Sequence, residues 1–423
     1  MAPLSAWWFG RSGRWPKEGI RQRQGRQLPP MPSSQPIWIH GASLGEVRVG
    51  GFFAEALQRH GQAVIASAMT EPGYWLCREV HREDTACFRL PFDLPGPVGR
   101  ALSHCRPRAL ILVETEWWPN LILGAAACDV PVFVINGRVS QRAYRRYRLL
   151  SRYWRALLSG VEFFYMRSES DAQRLVSLGV DHRRVAATGL LKVLPSPDAS
   201  TDPSSIPLVS EHGVPLVWVA GCTRPGEEPT VLSAFRSLQS EFPNLRLWLA
   251  PRHPDRFDEV SRLVEQAGYR PLRWSQCQKE SPDRTCAPVL IIDQIGILAG
   301  LYRHAQVAFV GGSLKPFGGH NPLEPALAGA MVFFGPHMDE QHDAAALVLQ
   351  AGLAQRVYDA PSLARAVADE LRSSRSREQR QAQSDELRDR LLRVRDDVAD
   401  DLLTRLEALP TRGRQQARGH SAA

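Results

Sequence analysis

Hydrophobic positions along the chain fall into short apolar runs separated by segments with apolar residues at helical spacing. From about residue 36 to 190 the runs are "PIWIH", "AVIAS", "ALILVE", "VPVFVIN", "EFFYMRS" and "VAATG". Continuous rather than alternating apolar runs are the mark of strands buried on both faces, so this half reads as a doubly wound parallel sheet. A stretch rich in Pro, Ser and Asp, "PSPDASTDPSSIP" at 195–207, reads as a linker. After it a second series, "PLVWVAG", "RLWLAPR", "PVLIID", "VAFVGG" and "MVFFGP", predicts a second sheet of the same type. The expected architecture is α/β, with two Rossmann-like domains over 36–194 and 208–385. Their facing carboxyl strand ends would form a ligand cleft. Residues 386–423 are expected to be a charged helix and tail.

The chain has 423 residues, 43% hydrophobic and 23% charged, which is globular and too long for one ordinary core. Its formal net charge is +8 and its pI about 9.3, carried almost wholly by arginine, which biases it towards anionic partners. The seven cysteines contain no C-x-x-C pair, so neither a zinc site nor a disulfide framework is indicated and a reducing cytoplasm is the simplest compartment. Trp7, Trp8, Phe9 and Trp15 stand among Arg11, Arg14 and Lys17, with no apolar stretch long enough for a signal peptide or membrane span. Such a segment suits a bilayer interface or a plain surface tail.

Chemistry concentrates where strands end. "HGASLGEVRVG" at 40–50 places Glu46 at a strand-to-helix turn. Ser43-Leu44-Gly45-Glu46 fits the S-x-x-E capping box, and Glu46 also fits a catalytic base. Glu114 and Glu116 follow a buried run directly, and Arg138 or acceptor hydroxyls would compensate them. Residues 138–160 hold seven arginines and no acid, interleaved with Tyr144, Tyr147, Tyr153 and Trp154. The segment is either a surface for an anionic amphiphile or a basic helix that packs its aromatics inward.

In the second half "VAFVGGSLKPFGGHNPLEPALAGA" at 307–330 is the phosphate-binding candidate. Gly311, Gly312, Ser313, Gly319 and His320 form its loop, Asn321 is the expected helix cap with Pro322 first in the helix, and Glu324 stands in the first turn. Arg252 and His253 close another strand and suit a phosphate. The P-loop and dinucleotide fingerprints are absent, as is metal-ligand spacing, which leaves carboxylates, arginines and helix starts to do the chemistry.

These segments together resemble a known family. "WIHGASLGEV", "PFDLP", "ETEWWPNLI", "NGRVSQRAYRRY", "SESDAQRLVSLGV", "APRHPDRF" and "GGSLKPFGGHNPLEP" follow one another as in the bacterial 3-deoxy-D-manno-octulosonic acid (Kdo) transferases, glycosyltransferase family 30, over roughly residues 36–345. The resemblance implies a GT-B fold, the donor CMP-Kdo, and a lipid A precursor (lipid IVA) as acceptor at the cytoplasmic face of the inner membrane. The expected mechanism is an inverting, metal-independent single displacement with no cofactor, and no nucleic-acid partner is expected, because the basic charge lies beside aromatics and no recognition module is visible. Glu46 would be the general base; Arg252, Asn321 and Glu324 would belong to the nucleotide site, with Lys192 beside the leaving phosphate. Ser43, Gly45, Glu114, Glu116 and Arg138 would line the acceptor. The family's T-G-N-L-K, S-T-H-x-G-E-E and G-E-L stretches stand here as Thr188-Gly189-Leu190-Leu191-Lys192, Cys222-Thr223-Arg224-Pro225-Gly226-Glu227-Glu228 and Gly296-Ile297-Leu298. A GT-B transferase with another nucleotide sugar, or a weakly active lipid-binding paralogue, are the competing expectations.

Overall fold

The computed structural model describes residues 17–81, 85–191, 215–277, 287–373 and 377–409. The linker at 195–207, Lys192, the aromatic residues before 16 and the tail beyond 409 lie outside them. The chain divides into two compact units, one of residues up to Val193 together with those from Leu391, the other Leu194–Arg390.

The first unit holds β1 (Ile37–Gly41), β2 (Val64–Ala68), β3 (Ala86–Arg89), β4 (Ala109–Val113), β5 (Val132–Gly137), β6 (Val161–Met166) and β7 (Val185–Ala187). All pair in parallel in the order β3-β2-β1-β4-β5-β6-β7. The order reverses between β1 and β4, and a crevice outside the carboxyl ends at such a point is where open α/β sheets bind ligands. Strands β1, β2 and β4 are buried at every residue, which is why each reads as an unbroken apolar run.

The second unit holds β8 (Leu216–Thr223), β9 (Leu245–Pro251), β10 (Leu272–Arg273), β11 (Val289–Ile291), β12 (Val307–Val310), β13 (Met331–Phe334) and β14 (Ala354–Arg356). They pair in parallel in the order β10-β11-β9-β8-β12-β13-β14, with the reversal between β8 and β12. Each unit is therefore a Rossmann-like sheet, and the two-domain GT-B expectation holds. Three strands escaped the sequence pattern: β3, β10 and β14. All three are short edge strands with half-buried or exposed residues, so they lack an apolar run.

One helix, Arg377–Ala408, belongs to both units, and the boundary expected at 386 falls inside it. In its first half Ser384 Oγ donates to the Ala326 carbonyl (2.6 Å) and Arg388 to that of Leu327 (2.8 Å). In its second half Val398, Ala399, Leu402, Leu403 and Leu406 join Ile37, Ile39, Phe53, Ile111 and Ile135 in one cluster on a face of the first sheet. Asp401 accepts the hydroxyl of Tyr165 at 2.7 Å, and Arg405 stacks 3.5 Å from the Phe163 ring centroid. The helix is polar on average, so this single apolar stripe is what docks it. Leu402 is fully buried. Leu402→Ala is expected to cost roughly 2–5 kcal/mol in a urea melt. The exposed Arg393→Ala is expected to change stability by less than about 0.5 kcal/mol.

Candidate active site

The helix after β1, α1 (Leu44–Arg59), starts three residues beyond the strand. Only a glycine permits so direct a turn: a Cβ at Gly41 would lie 2.8 Å from the Glu46 carbonyl carbon and 2.9 Å from the Val47 nitrogen. Glu46 bends back over the turn. Its Oε2 accepts the Ala42 N–H at 2.6 Å and its Oε1 the Ser43 hydroxyl at 2.8 Å. Ser43 caps no helix N–H with its side chain, so only half of the capping box forms, and it forms one residue early. Gly45 is exposed, with no heavy atom within 4 Å of where a Cβ would stand.

The neighbouring strand β4 brings two more carboxylates. Glu114 adopts φ 65° and Asn136, at the end of β5, φ 53°. Left-handed backbone at two non-glycine residues is strained and survives only where surroundings impose it. Asn136 Nδ2 donates to Glu114 Oε1 (3.2 Å) while its Oδ1 accepts the Leu191 N–H (3.1 Å). Glu116 Oε2 accepts the indole N–H of Trp118 at 2.7 Å and lies 3.3 Å from His40 Nε2. Arg138 is half-buried just after β5. Ser43, Gly45, Glu46, Glu114, Glu116 and Arg138 thus gather at the carboxyl ends of three adjacent strands. Burial foremost, then the charges of Glu116 and Glu114, push the Glu46 carboxyl up from its ordinary 4.5 to about 7, against the bonds from Ala42 and Ser43.

In the second unit the candidate residues collect at the ends of β9, β8 and β12. The turn Gly311-Gly312-Ser313 was expected to offer its N–H groups to a phosphate. All three are engaged within the protein: Gly311 donates to the Gly221 carbonyl (2.8 Å), and Gly312 and Ser313 to the carboxylate of Glu227 (2.7 and 2.8 Å). Glu227, fully buried, also accepts from Leu314 and Arg224 N–H at 2.9 Å each. Ser313 is itself fully buried, its hydroxyl donating to the Val310 carbonyl and accepting from Gly335. The anion cradle is therefore filled by the protein's own carboxylate, and that expectation is corrected for Gly311, Gly312 and Ser313.

What stays open to a ligand is the rim around it. Arg252 and His253 are exposed. Arg224 hydrogen-bonds His253 and lies 4.6 Å over the Phe317 ring centroid. His320 Nδ1 donates to the Gly311 carbonyl at 2.9 Å, which leaves Nε2 as an acceptor. Burial holds its pKa below the ordinary histidine value, helped by Arg252 and Arg224 and opposed by that same bond. Gly319 has φ 76°, and a Cβ there would meet Met338 Sδ at 2.4 Å. Asn321 Nδ2 donates to Glu324 Oε1 (3.0 Å), and its Oδ1 caps the Leu323 N–H (3.2 Å). The helix begins at Leu323, one residue later than expected, and has only five residues, so its dipole adds little.

Three relatives, one family model and one solved structure are similar to this chain. A 3-deoxy-D-manno-octulosonic acid transferase of Bordetella pertussis is 32% identical over 376 residues, 85% of this chain and 86% of that one. One from Haemophilus influenzae is 30% identical over 356 residues, covering 82% of both chains. The family described as 3-Deoxy-D-manno-octulosonic-acid transferase (kdotransferase) matches residues 11–194. The chain belongs to the Kdo transferase family. It spans about half the length of a further relative, a bifunctional glycosyltransferase/methyltransferase of Fusobacterium nucleatum, of which it covers 55%. A glycosyltransferase structure from Rickettsia africae aligns with a TM-score of 0.62 at 11% identity, over 90% of this chain and all of that one. That likeness shows the fold alone.

For a Kdo transferase, a carboxylate titrating near neutrality beside two others is the notable chemistry of the first unit. Sequence reading gave no role to His40, and it read Arg224 and Glu227 only as part of the turn at 220–228, which could line a cleft or cap a helix. The signal for His40 was available: a histidine inside an all-buried strand, followed by Gly-Ala-Ser. Glu227 gave little, because three of its four partners lie 85–87 residues away. The raised Glu46 carboxyl sets a sign for stability. Between about pH 4.5 and 7 the folded chain holds a proton the unfolded chain has lost, so this group's contribution falls as pH rises through that window. Glu46→Gln is expected to flatten that part of the stability curve and to raise the unfolding free energy at pH 8 by at most about 3 kcal/mol, read as a higher melting temperature.

Proposed function

We propose that this chain transfers Kdo from CMP-Kdo to a lipid A precursor, by inverting displacement without a metal ion. The observation that carries the reading is the half-buried Glu46 carboxylate at the reversal of strand order, beside Glu114 and Glu116, whose charges and burial push it up to about 7. A base is most effective when its pKa lies close to working pH, and Glu46 has both that and an open approach past Gly45. It would take the proton of an acceptor hydroxyl as that oxygen attacks the anomeric carbon of Kdo. Glu114, Glu116 and Arg138 would hold the acceptor's polar groups. Arg252, His253 and Arg224, with Lys192, would receive the departing cytidine phosphate; His320, Asn321 and Glu324 would bind donor hydroxyls. Supporting the leaving charge by fixed cations is electrostatic catalysis of the ordinary kind.

A lipid acceptor requires access to a bilayer surface, and the arginine-rich segment supports that part. Its helices, α2 (Gln141–Leu149) and α3 (Ser151–Leu158), pack Tyr147 and Trp154 inward against Trp117, with centroids 5.5 and 5.9 Å away. The inward-packing reading thus holds for these aromatics. Outside remain Leu149 (83% exposed), Leu150 (61%) and Tyr153 (46%) among the exposed Arg142, Arg145, Arg146, Arg148, Arg152 and Arg155. Exposed leucines flanked by cations suit the headgroup layer of an anionic membrane at the cytoplasmic face.

Two experiments test these parts. CMP release and product mass from CMP-Kdo and lipid IVA are expected in the wild type, while Glu46→Gln, which can still accept the Ala42 N–H and donate to the Ser43 oxygen, should lose roughly 100-fold or more in kcat. Activity of both would move the base elsewhere. Cosedimentation with vesicles containing 30% phosphatidylglycerol should be lost in a Leu149→Ser/Leu150→Ser variant and in high salt. Equal binding by wild type and variant would remove α2 and α3 from the membrane contact.

A further inference from the structure

The buried strand residue His40 is not explained by packing. It is fully buried, and both ring nitrogens have polar partners: Nδ1 lies 2.9 Å from Ser67 Oγ and 3.1 Å from the Ser67 carbonyl, Nε2 3.3 Å from Glu116 Oε2. Ser67, also buried, accepts the indole N–H of Trp38 at 2.8 Å through the same Oγ. Ser67 Oγ takes the Trp38 N–H on one lone pair and can give its O–H to His40 Nδ1, whereas the Ser67 carbonyl would accept a proton from Nδ1. The contact with Glu116 favours the proton on Nε2, since without it a nitrogen lone pair would face a carboxylate oxygen. In that arrangement the hydrogen bonds run from Trp38 through Ser67 and His40 to Glu116, from the interior of β1 and β2 out to the loop after β4. Trp118 supplies a second N–H to the same Oε2. Both donors hold one oxygen of Glu116 and leave Oε1 for a ligand.

We propose that His40 is a positioning residue for Kdo transfer, which through this hydrogen-bond chain holds Glu116 oriented towards the acceptor sugar. The inference rests on the functional reading above. It assigns His40 no contact with substrate and no proton transfer; its effect passes through Glu116 alone. A buried hydrogen-bond chain whose members are all satisfied is rigid, and rigidity is what an orienting group supplies.

The test is a double-mutant cycle read on acceptor kinetics. His40→Leu is expected to lower kcat/KM for lipid IVA about ten-fold or more with the KM for CMP-Kdo unchanged. His40→Gln, whose amide can still donate to Glu116, should recover most of that loss. Ser67→Ala should produce a smaller loss in the same parameter, and it keeps the test decisive if His40→Leu does not fold. In a Glu116→Ala background none of the three should cost more than about two-fold further. Equal losses in His40→Leu and His40→Gln, or losses that multiply with Glu116→Ala, would overturn the proposal and make His40 a packing residue. Histidine 15N NMR provides a reading independent of activity: neutral His40 should be protonated on Nε2, with a resonance that responds to Glu116→Ala. Protonation on Nδ1, or no response, overturns the inference. If the wild type transfers no Kdo, the functional reading falls, and the NMR result alone decides whether His40 holds Glu116.

Discussion

Three carboxylates meet at the ends of two adjacent parallel strands, and the first unit is arranged around the cost of that meeting. Glu46, Glu114 and Glu116 repel one another, and each is held by an N–H donor from a fixed position: a backbone amide for Glu46, the Asn136 amide for Glu114, an indole and an imidazole for Glu116. The consequence falls on Glu46, whose carboxyl is pushed up to about 7 by burial and by the two other charges. Backbone strain at Glu114 and Asn136 belongs to the same arrangement, since it occurs where β4 and β5 end and their side chains meet.

The second unit solves a related problem in the opposite sense. There one carboxylate, Glu227, is buried without a cation and is satisfied by four backbone N–H groups. It ties the loop after β12 to the turn after β8, which makes the glycine-rich segment a rigid support rather than an anion cradle. The next residue, Glu228, is also fully buried and pairs with Arg256 at 2.6 Å, anchoring the turn that carries Arg252 and His253. The exposed side chains at this end of the sheet, Arg252 and His253, are thereby set on a fixed support. Two consecutive acids, alike in sequence, hold two different loops.

Much of the fold was legible because strands buried on both faces must be apolar along their whole length. What was not legible had physical causes. Edge strands such as Leu272–Arg273 are too short and too exposed to leave a pattern. The candidate residues at strand ends were visible because polar groups directly after apolar runs need a reason. Their hydrogen-bond partners were not, since Glu227 meets Gly312 and His40 meets Glu116 only after the crossovers have folded. The Gly-Gly-Ser turn misled for the same reason: its shape is that of an anion site, and the anion proved to be a side chain of the same protein.

The helix Arg377–Ala408 has a consequence for the order in which the chain is made. The first sheet is complete in sequence by Ala187, yet one of its apolar faces is covered by residues Val398 to Leu406. Domains generally fold as they leave the ribosome, the earliest segment first. Here the earliest unit waits, with Ile37, Ile39 and Ile111 lacking their final cover, until some two hundred further residues have been synthesised and the second unit has had its chance to fold. A premature stop late in the message would thus leave the second sheet whole and strip the first, the part of the protein farthest from the lesion in sequence.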